Sequence, residues 1–155
     1  MKIIKTQFLT SEQKQVLFEL WNSEYPSKIC YSDISQFENY LNELFNKRHY
    51  LLIDDDKQIL GWGFTFVRED ENWFCIILNS KIHRKGFGTI LLEELKKNSS
   101  CLVGWVIDHQ MEIKQNGEAY FTPIQFYIKN SFVLDVNVRL ENEIISAAKI
   151  KWEKE

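Results

Sequence analysis

The chain is poor in cysteine, and the three it has, Cys30, Cys75 and Cys101, are odd in number and far apart. A disulfide framework is therefore not expected, and a reducing compartment fits. A basic excess is also lacking: 19 Lys and Arg stand against 22 Asp and Glu, for a formal charge of −3. That balance argues against a nucleic-acid partner, whose binding domains carry clear positive charge. No apolar run approaches the roughly 18 residues needed to span a bilayer, so no membrane partner is expected. The opening Met1-Lys2-Ile3-Ile4-Lys5 is interrupted by lysine too soon to form a signal-peptide core, and the cytoplasm is the expected location. No GxxxxGK(S/T) motif is present, which sets aside a nucleotide-hydrolysing P-loop. Internal repeats, low-complexity tracts and linkers are likewise missing, so residues 1–155 read as a single domain with one substantial core.

What is present centres on Trp73–Lys97. Trp73-Phe74-Cys75-Ile76-Ile77-Leu78 is short, β-branched and aromatic, which predicts a buried strand. Thr89–Lys97 carries Leu91, Leu92 and Leu95 at helical spacing, with lysines where the negative end of the helix dipole falls. Between them lies His83-Arg84-Lys85-Gly86-Phe87-Gly88. A strand entering a helix through two glycines leaves main-chain N–H groups without intrahelical partners. Those groups, the helix N-terminus and the basic side chains make an anion site suited to phosphate or pyrophosphate. The plain alternative is a solvated strand–helix turn, and glycine spacing alone does not separate the two. The dinucleotide fingerprint is excluded because its third glycine is missing.

Taken in order, Lys2–Leu9 reads as a strand. A helix capped by Thr10 or Ser11 follows, with Val16, Leu17, Leu20 and Trp21 on one face, ending before Pro26. Asp33 or Ser35 caps a second helix bearing Phe37, Tyr40, Leu41, Leu44 and Phe45. Strands are predicted at Tyr50–Ile53, Gln58–Val67 and Trp73–Leu78, joined by polar turns as an antiparallel meander. After the glycine-loop helix, Cys101–Asp108 is strand-like and His109–Phe121 reads as a loop or small excursion. Thr122-Pro123 starts a short helix to about Lys129. From Phe132 the residues alternate, with Leu134, Val136, Val138 and Leu140 on the same face, and Ile144–Trp152 is the partner strand. The order is β-α-α-β-β-β-α-β-α-β-β.

His83-x-x-Gly86-x-Gly88 resembles the acetyl-CoA loop of the GNAT superfamily of N-acetyltransferases, Gln/Arg-x-x-Gly-x-Gly/Ala, with His83 where Gln or Arg is usual. Tyr127-Ile128-Lys129-Asn130-Ser131-Phe132 is similar to that family's Tyr-x-Lys-x-Gly-Phe segment, with Ser131 in place of glycine. The element order resembles the same fold across nearly the whole chain. The resemblance implies an α/β (α+β) architecture: a mixed, mostly antiparallel, strongly twisted sheet with helices on both faces.

The resemblance further implies acetyl-CoA as cosubstrate and a small-molecule or peptide amine as acceptor. The main chain across His83, Arg84, Lys85, Gly86, Phe87, Gly88 and Thr89 would hold the pyrophosphate, with Arg84 or Lys85 reaching another phosphate. Ile76 and Leu78 would bond the pantetheine arm as if to an added strand, and the Leu78 N–H would steady the developing oxyanion. Tyr127 stands where the family's general acid often sits, and an ordinary tyrosine remains protonated at neutral pH. Asp108 and His109, at the end of the predicted fifth strand, are the base candidates; Glu69, Asp70, Glu71 and a water chain are the alternatives. Glu24, Tyr25, Tyr31 and Asp33 would shape the acceptor surface, although capping and packing explain them as well. The five tryptophans read as core, and Cys75 and Cys101 as inert strand residues. A non-catalytic acyl-CoA-binding or sensing domain, and an interaction module of similar topology, are the competing readings. Monomer and homodimer stand equally open.

Overall fold

The computed structural model describes residues 1–155 and forms one seven-stranded sheet in the order β1-β2-β3-β4-β5-β7-β6. The strands are β1 (Lys2–Thr6), β2 (Phe45–Ile53), β3 (Ile59–Arg68), β4 (Glu71–Leu78), β5 (Cys101–Val106), β6 (Val133–Glu141) and β7 (Ser146–Glu153). The helices are α1 (Ser11–Glu24), α2 (Ile34–Glu43), α3 (Phe87–Lys97) and α4 (Ile124–Lys129). Every neighbouring pair of strands is antiparallel except β4 and β5. The architecture and the element order agree with the sequence expectation. No helix is long and apolar enough to cross a membrane.

Local chemistry fixes the helix starts. Thr10 Oγ1 accepts from Gln13 N at 3.1 Å, while the Gln13 side chain accepts from Thr10 N at 2.9 Å. This reciprocal pair satisfies two donors that a helix start otherwise leaves open. Asp33 caps α2 by accepting from Gln36 N at 3.0 Å. At the other end of α1, the Cys30 thiol lies against the carbonyls of Asn22, Tyr25 and Pro26, which accounts for that cysteine structurally.

Two apolar cores form, one on each face of the sheet. Leu17, Leu20 and Trp21 of α1 pack with Phe37 and Leu41 of α2 over Trp62, Phe64 and Trp73. Leu91, Leu92 and Leu95 of α3 pack with Phe74, Tyr127 and Phe132 on the other face. Trp21, Trp62 and Trp73 are buried as expected, and Trp105 and Trp152 are half-buried.

The chain departs from the sequence reading at Phe45 and in β6, and gives the small excursion at His109–Phe121 a definite shape. Phe45 is not on the apolar stripe of α2; it opens β2 and is 71% exposed. A register shift between Phe45 and Arg48 turns this early part of the strand away from the core. The alternation in β6 is also broken. Asp135 pairs with Lys149 and Arg139 with Ala148, so Val136, Asn137 and Val138 form a bulge. Val136 and Val138 are consequently exposed, while Phe132 remains buried. Finally, His109–Phe121 contains a small hairpin, bridged at Ile113 and Ala119, which docks on the α1–α2 connection. There Lys114 bridges to Pro26, and Ser27 N donates to Ile113 O at 2.8 Å.

His49 is an unforeseen polar residue in the core. It is 1% exposed, and its Nδ1 accepts from Trp62 Nε1 at 3.1 Å. Burial, reinforced by Lys47, lowers its pKa from 6.5 to about 4. The folded state thus keeps this ring neutral where the unfolded chain takes up a proton. The resulting stability is fully present above about pH 6.5 and is lost as pH falls toward 4. Urea unfolding at pH 7 and pH 4.5 should show a smaller acid loss in His49→Gln than in the native chain, by about 2–3 kcal/mol. Equal losses in the two proteins would show that His49 does not set this dependence.

Candidate active site

The site begins where β4 ends. The chain leaves Leu78, makes one 3-10 turn over Ser80–Ile82, and enters α3 through the basic, glycine-containing loop. Arg84 and Gly86 both take left-handed conformations, with φ of 60° and 85°. Gly86 holds this geometry without a Cβ clash, whereas Arg84 does so at a cost. None of the main-chain N–H groups from Arg84 to Thr89 donates to a protein acceptor; the first to do so is Ile90, to Gly86 O at 3.2 Å. Six successive amides are therefore free at a helix N-terminus, where the dipole also favours an anion.

His83 has a different task from the one its place in the motif suggests. Its Nε2 donates to Leu78 O at 2.8 Å, tying the loop to the end of β4. The neutral ring then has no second N–H, so His83 donates to a phosphate through Nδ1 only when protonated. Gly88 is buried, and a Cβ there would lie 3.0 Å from Leu78 and 3.1 Å from Phe126. Its lack of a side chain lets α3, β4 and α4 meet closely.

Beside this loop the sheet opens. β4 and β5 are in register only at Trp73 and Val103, whereas β3 follows β4 from Glu71 to Leu78. Asn79 N donates to Leu60 O on the β3 side. Strand alternation consequently turns the N–H groups of Leu78 and Ile76 toward the gap. A cavity of about 630 Å³ occupies this opening, a size that suits a cofactor. Its wall includes Ile76, Gly88, Phe126 and Tyr127 from the α3 side, and Ile77, Glu24 and Tyr25 from the α1 side. The cavity thus passes through the sheet and connects its two faces.

Tyr127 sits on α4, against Phe74 and Phe132. It is 8% exposed and lines the cavity. Its hydroxyl has no protein partner, and no sealed polar side-chain atom in the chain lacks one, so this oxygen opens on the cavity. Burial, ahead of Cys75 and Tyr120, pushes its pKa well above the ordinary tyrosine value. The helix is held by its C-terminus. Ser131 takes a left-handed φ of 71°, and Phe132 N donates to Tyr127 O at 3.0 Å. This is a Schellman-type ending with serine where glycine is usual. The Lys96 ammonium braces the same corner, donating to Asn130 O at 2.7 Å above the rings of Phe132 and Trp152.

On the α1 side, Glu24 is 8% exposed. Its Oε2 accepts from Ser80 N at 3.0 Å, and its Oε1 lies 3.3 Å from Lys114 Nζ. Tyr25 packs edge-on to Trp21, and its hydroxyl lies 2.7 Å from Cys75 Sγ. Burial raises the Cys75 thiol to about 11, so it remains protonated and offers no nucleophile for an acyl group.

The structure brings Ile76, Leu78, His83, Arg84, Gly86, Gly88, Thr89 and Tyr127 to one cavity. Lys85 and Phe87, within the same loop, are not part of its wall. Asp108 and His109 lie outside the wall. Asp108 is held by Arg139 through two hydrogen bonds of 2.9 and 2.8 Å, and this guanidinium lowers its pKa. Asp108 is thus turned toward Arg139 and contributes nothing to the cavity wall, where Glu24 is the carboxylate present. His109 Nδ1 accepts from Met111 N at 3.2 Å, and its Nε2 is 3.8 Å from Glu112. Sequence reasoning missed Lys114 and Tyr120, which reach the cavity only because the hairpin folds back; nothing local in their sequence signals it.

No protein-family model matches the sequence, and no curated protein does. Solved structures match it over almost its whole length. An aminoglycoside 6'-N-acetyltransferase complexed with coenzyme A aligns with a TM-score of 0.74 at 14% identity, covering 99% of this chain and 97% of that one. A ribosomal-protein-alanine N-acetyltransferase from Brucella melitensis aligns at 0.71 and 11% identity, covering 99% and 100%. A GNAT superfamily phosphinothricin acetyltransferase from Sinorhizobium meliloti, in complex with AcCoA, aligns at 0.64 and 10% identity, covering 99% and 89%. The chain therefore has the fold of the GNAT-superfamily N-acetyltransferases.

Proposed function

We propose that the chain transfers an acetyl group from acetyl-CoA to a primary amine by direct attack of the amine on the thioester. The observation that carries this reading is the cavity through the parted strands, with six free amides at one end and an unpartnered tyrosine hydroxyl at its side. The amides from Arg84 to Thr89 take the pyrophosphate. The pantetheine arm lies along β4 and bonds the exposed main chain of Ile76 and Leu78. The thioester carbonyl then comes to the Leu78 N–H, which stabilises the oxyanion formed when the amine nitrogen adds to the carbonyl carbon.

Collapse of that intermediate breaks the carbon–sulfur bond. Tyr127 donates a hydrogen bond to the departing sulfur. Its raised pKa means that it assists chiefly by this bond, with the net proton passing from the attacking nitrogen to the thiolate. Glu24, the one carboxylate on the cavity wall, is the group toward which the amine sheds its proton, directly or through water. The acceptor approaches from the α1 side, between Tyr25 and the hairpin. The neighbours' acceptors range from an aminoglycoside to a ribosomal-protein alanine, so the fold leaves the acceptor's identity open within the amines.

Binding and turnover are tested separately. Coenzyme A at about 100 times its dissociation constant should stabilise the native chain by about 2.7 kcal/mol in a melting experiment. Gly88→Val crowds Leu78 and Phe126, and an overpacking cost of about 1–3 kcal/mol borne by the ligand-ready loop should weaken coenzyme A by roughly fivefold or more. An unmoved melting curve in the native chain, or undiminished affinity in the variant, contradicts the cofactor site. With acetyl-CoA and a panel of amines, thiol release should fall by about 10²-fold or more in Tyr127→Phe and in Glu24→Gln while coenzyme A still binds. Full turnover in either variant removes that residue from the mechanism. Binding with no thiol release from any amine would instead favour a cofactor-sensing domain.

A further inference from the structure

A second concavity lies on the α3 face of the sheet, beyond the C-terminus of that helix. Two adjoining hollows, of about 520 and 260 Å³, share Arg48, Tyr50 and Asn98. Arg48 is opposite Thr65 in the β2–β3 register, and Tyr50 follows two residues on, so the three side chains share one face. Helix α3 has 11 residues and is about 16 Å long, which separates this groove from the glycine loop at its other end.

Two observations distinguish the groove from an ordinary surface depression. Tyr50 is 2% exposed and Thr65 is 5% exposed, yet neither hydroxyl has a hydrogen-bond partner in the protein. Since no sealed side-chain oxygen or nitrogen in the chain is without a partner, both hydroxyls must open on the groove. The two side chains are thus largely buried while their hydroxyls stay open toward one hollow, where water or a ligand is the partner available to them. Secondly, Arg48 stands on the rim with no ion pair. The neighbouring Lys5 and Lys151 are paired with Glu94 and Glu153. The rim carboxylates Asp70 and Glu71, the latter paired with Lys149, disfavour a large polyanion.

We propose that this groove is a binding site for a single oxyanion, a carboxylate or phosphate group borne by a small polar molecule. The Arg48 guanidinium meets the charge with paired N–H donors, and the Tyr50 and Thr65 hydroxyls complete the contact from the floor. Nothing in the acetyl-transfer reading requires this site.

The test is an amide NMR titration of the full chain with coenzyme A present at saturation, using inorganic phosphate in one arm and succinate in the other. The amides of Tyr50, Thr65, Asn98, Ser99 and Ser100 should shift saturably in at least one arm, and the responding arm identifies the oxyanion. Shifts at residues 84–89 report on the glycine loop and are scored apart, so failure of the cofactor reading is distinguishable from failure of this one. Arg48→Gln changes an exposed side chain and should weaken the response by about tenfold or more. Linear, unsaturated drift of those amides in both arms overturns the proposal. So does an unchanged binding curve in both Arg48→Gln and Thr65→Val.

Discussion

The structure depends on the parting of β4 from β5. Each strand is fully paired on its outer side, β4 with β3 and β5 with β7, but they meet each other only at Trp73 and Val103. Close packing fixes the meeting point. Phe74 presses against Gly104, where a Cβ would lie 2.9 Å from its ring, and Trp73 packs against Trp105 on the other face at 5.2 Å. Beyond this point the strands diverge, leaving main-chain donors and acceptors without a sheet partner. Such groups cost free energy unless water or a ligand satisfies them. The gap is therefore a place prepared for an extended, hydrogen-bonding molecule.

The surrounding elements hold the gap at a fixed shape. His83 ties the glycine loop to the last carbonyl of β4, and Glu24 ties the start of the 3-10 turn to α1. The Thr122 hydroxyl donates to Ile107 O, which pins the approach to α4 beside the end of β5. Lys96 then fixes the far end of α4 from α3. Each tie joins elements that flank the opening, so the free amides and the Tyr127 hydroxyl keep one relative geometry. Preorganisation of this kind lets binding energy act on the reacting atoms without first ordering the site.

Much of this was legible in the sequence because its causes are local. Gly86 and Gly88 mark a turn that few other residues allow, the leucines of α3 repeat at helical spacing, and Thr10 and Asp33 are recognisable caps. The sequence was silent where the cause lies far along the chain. Asp108 reads as an available carboxylate in the sequence, but Arg139, 31 residues later, holds it. Glu24 reads as one polar residue among several, and its contact with Lys114 depends on a hairpin 90 residues away. Val136 and Val138 alternate properly as letters, and only the register with β7 shows that they lie in a bulge.

The central claim is that the six amides from Arg84 to Thr89 grip the phosphorylated end of coenzyme A. Their backbone NMR resonances test it most directly, compared between coenzyme A and pantetheine, which lacks the pyrophosphate. The account predicts downfield displacement of these amides with coenzyme A and little change with pantetheine, which should instead move Ile76 and Leu78. Six unmoved amides with coenzyme A bound, or an equal response to both ligands, would contradict it.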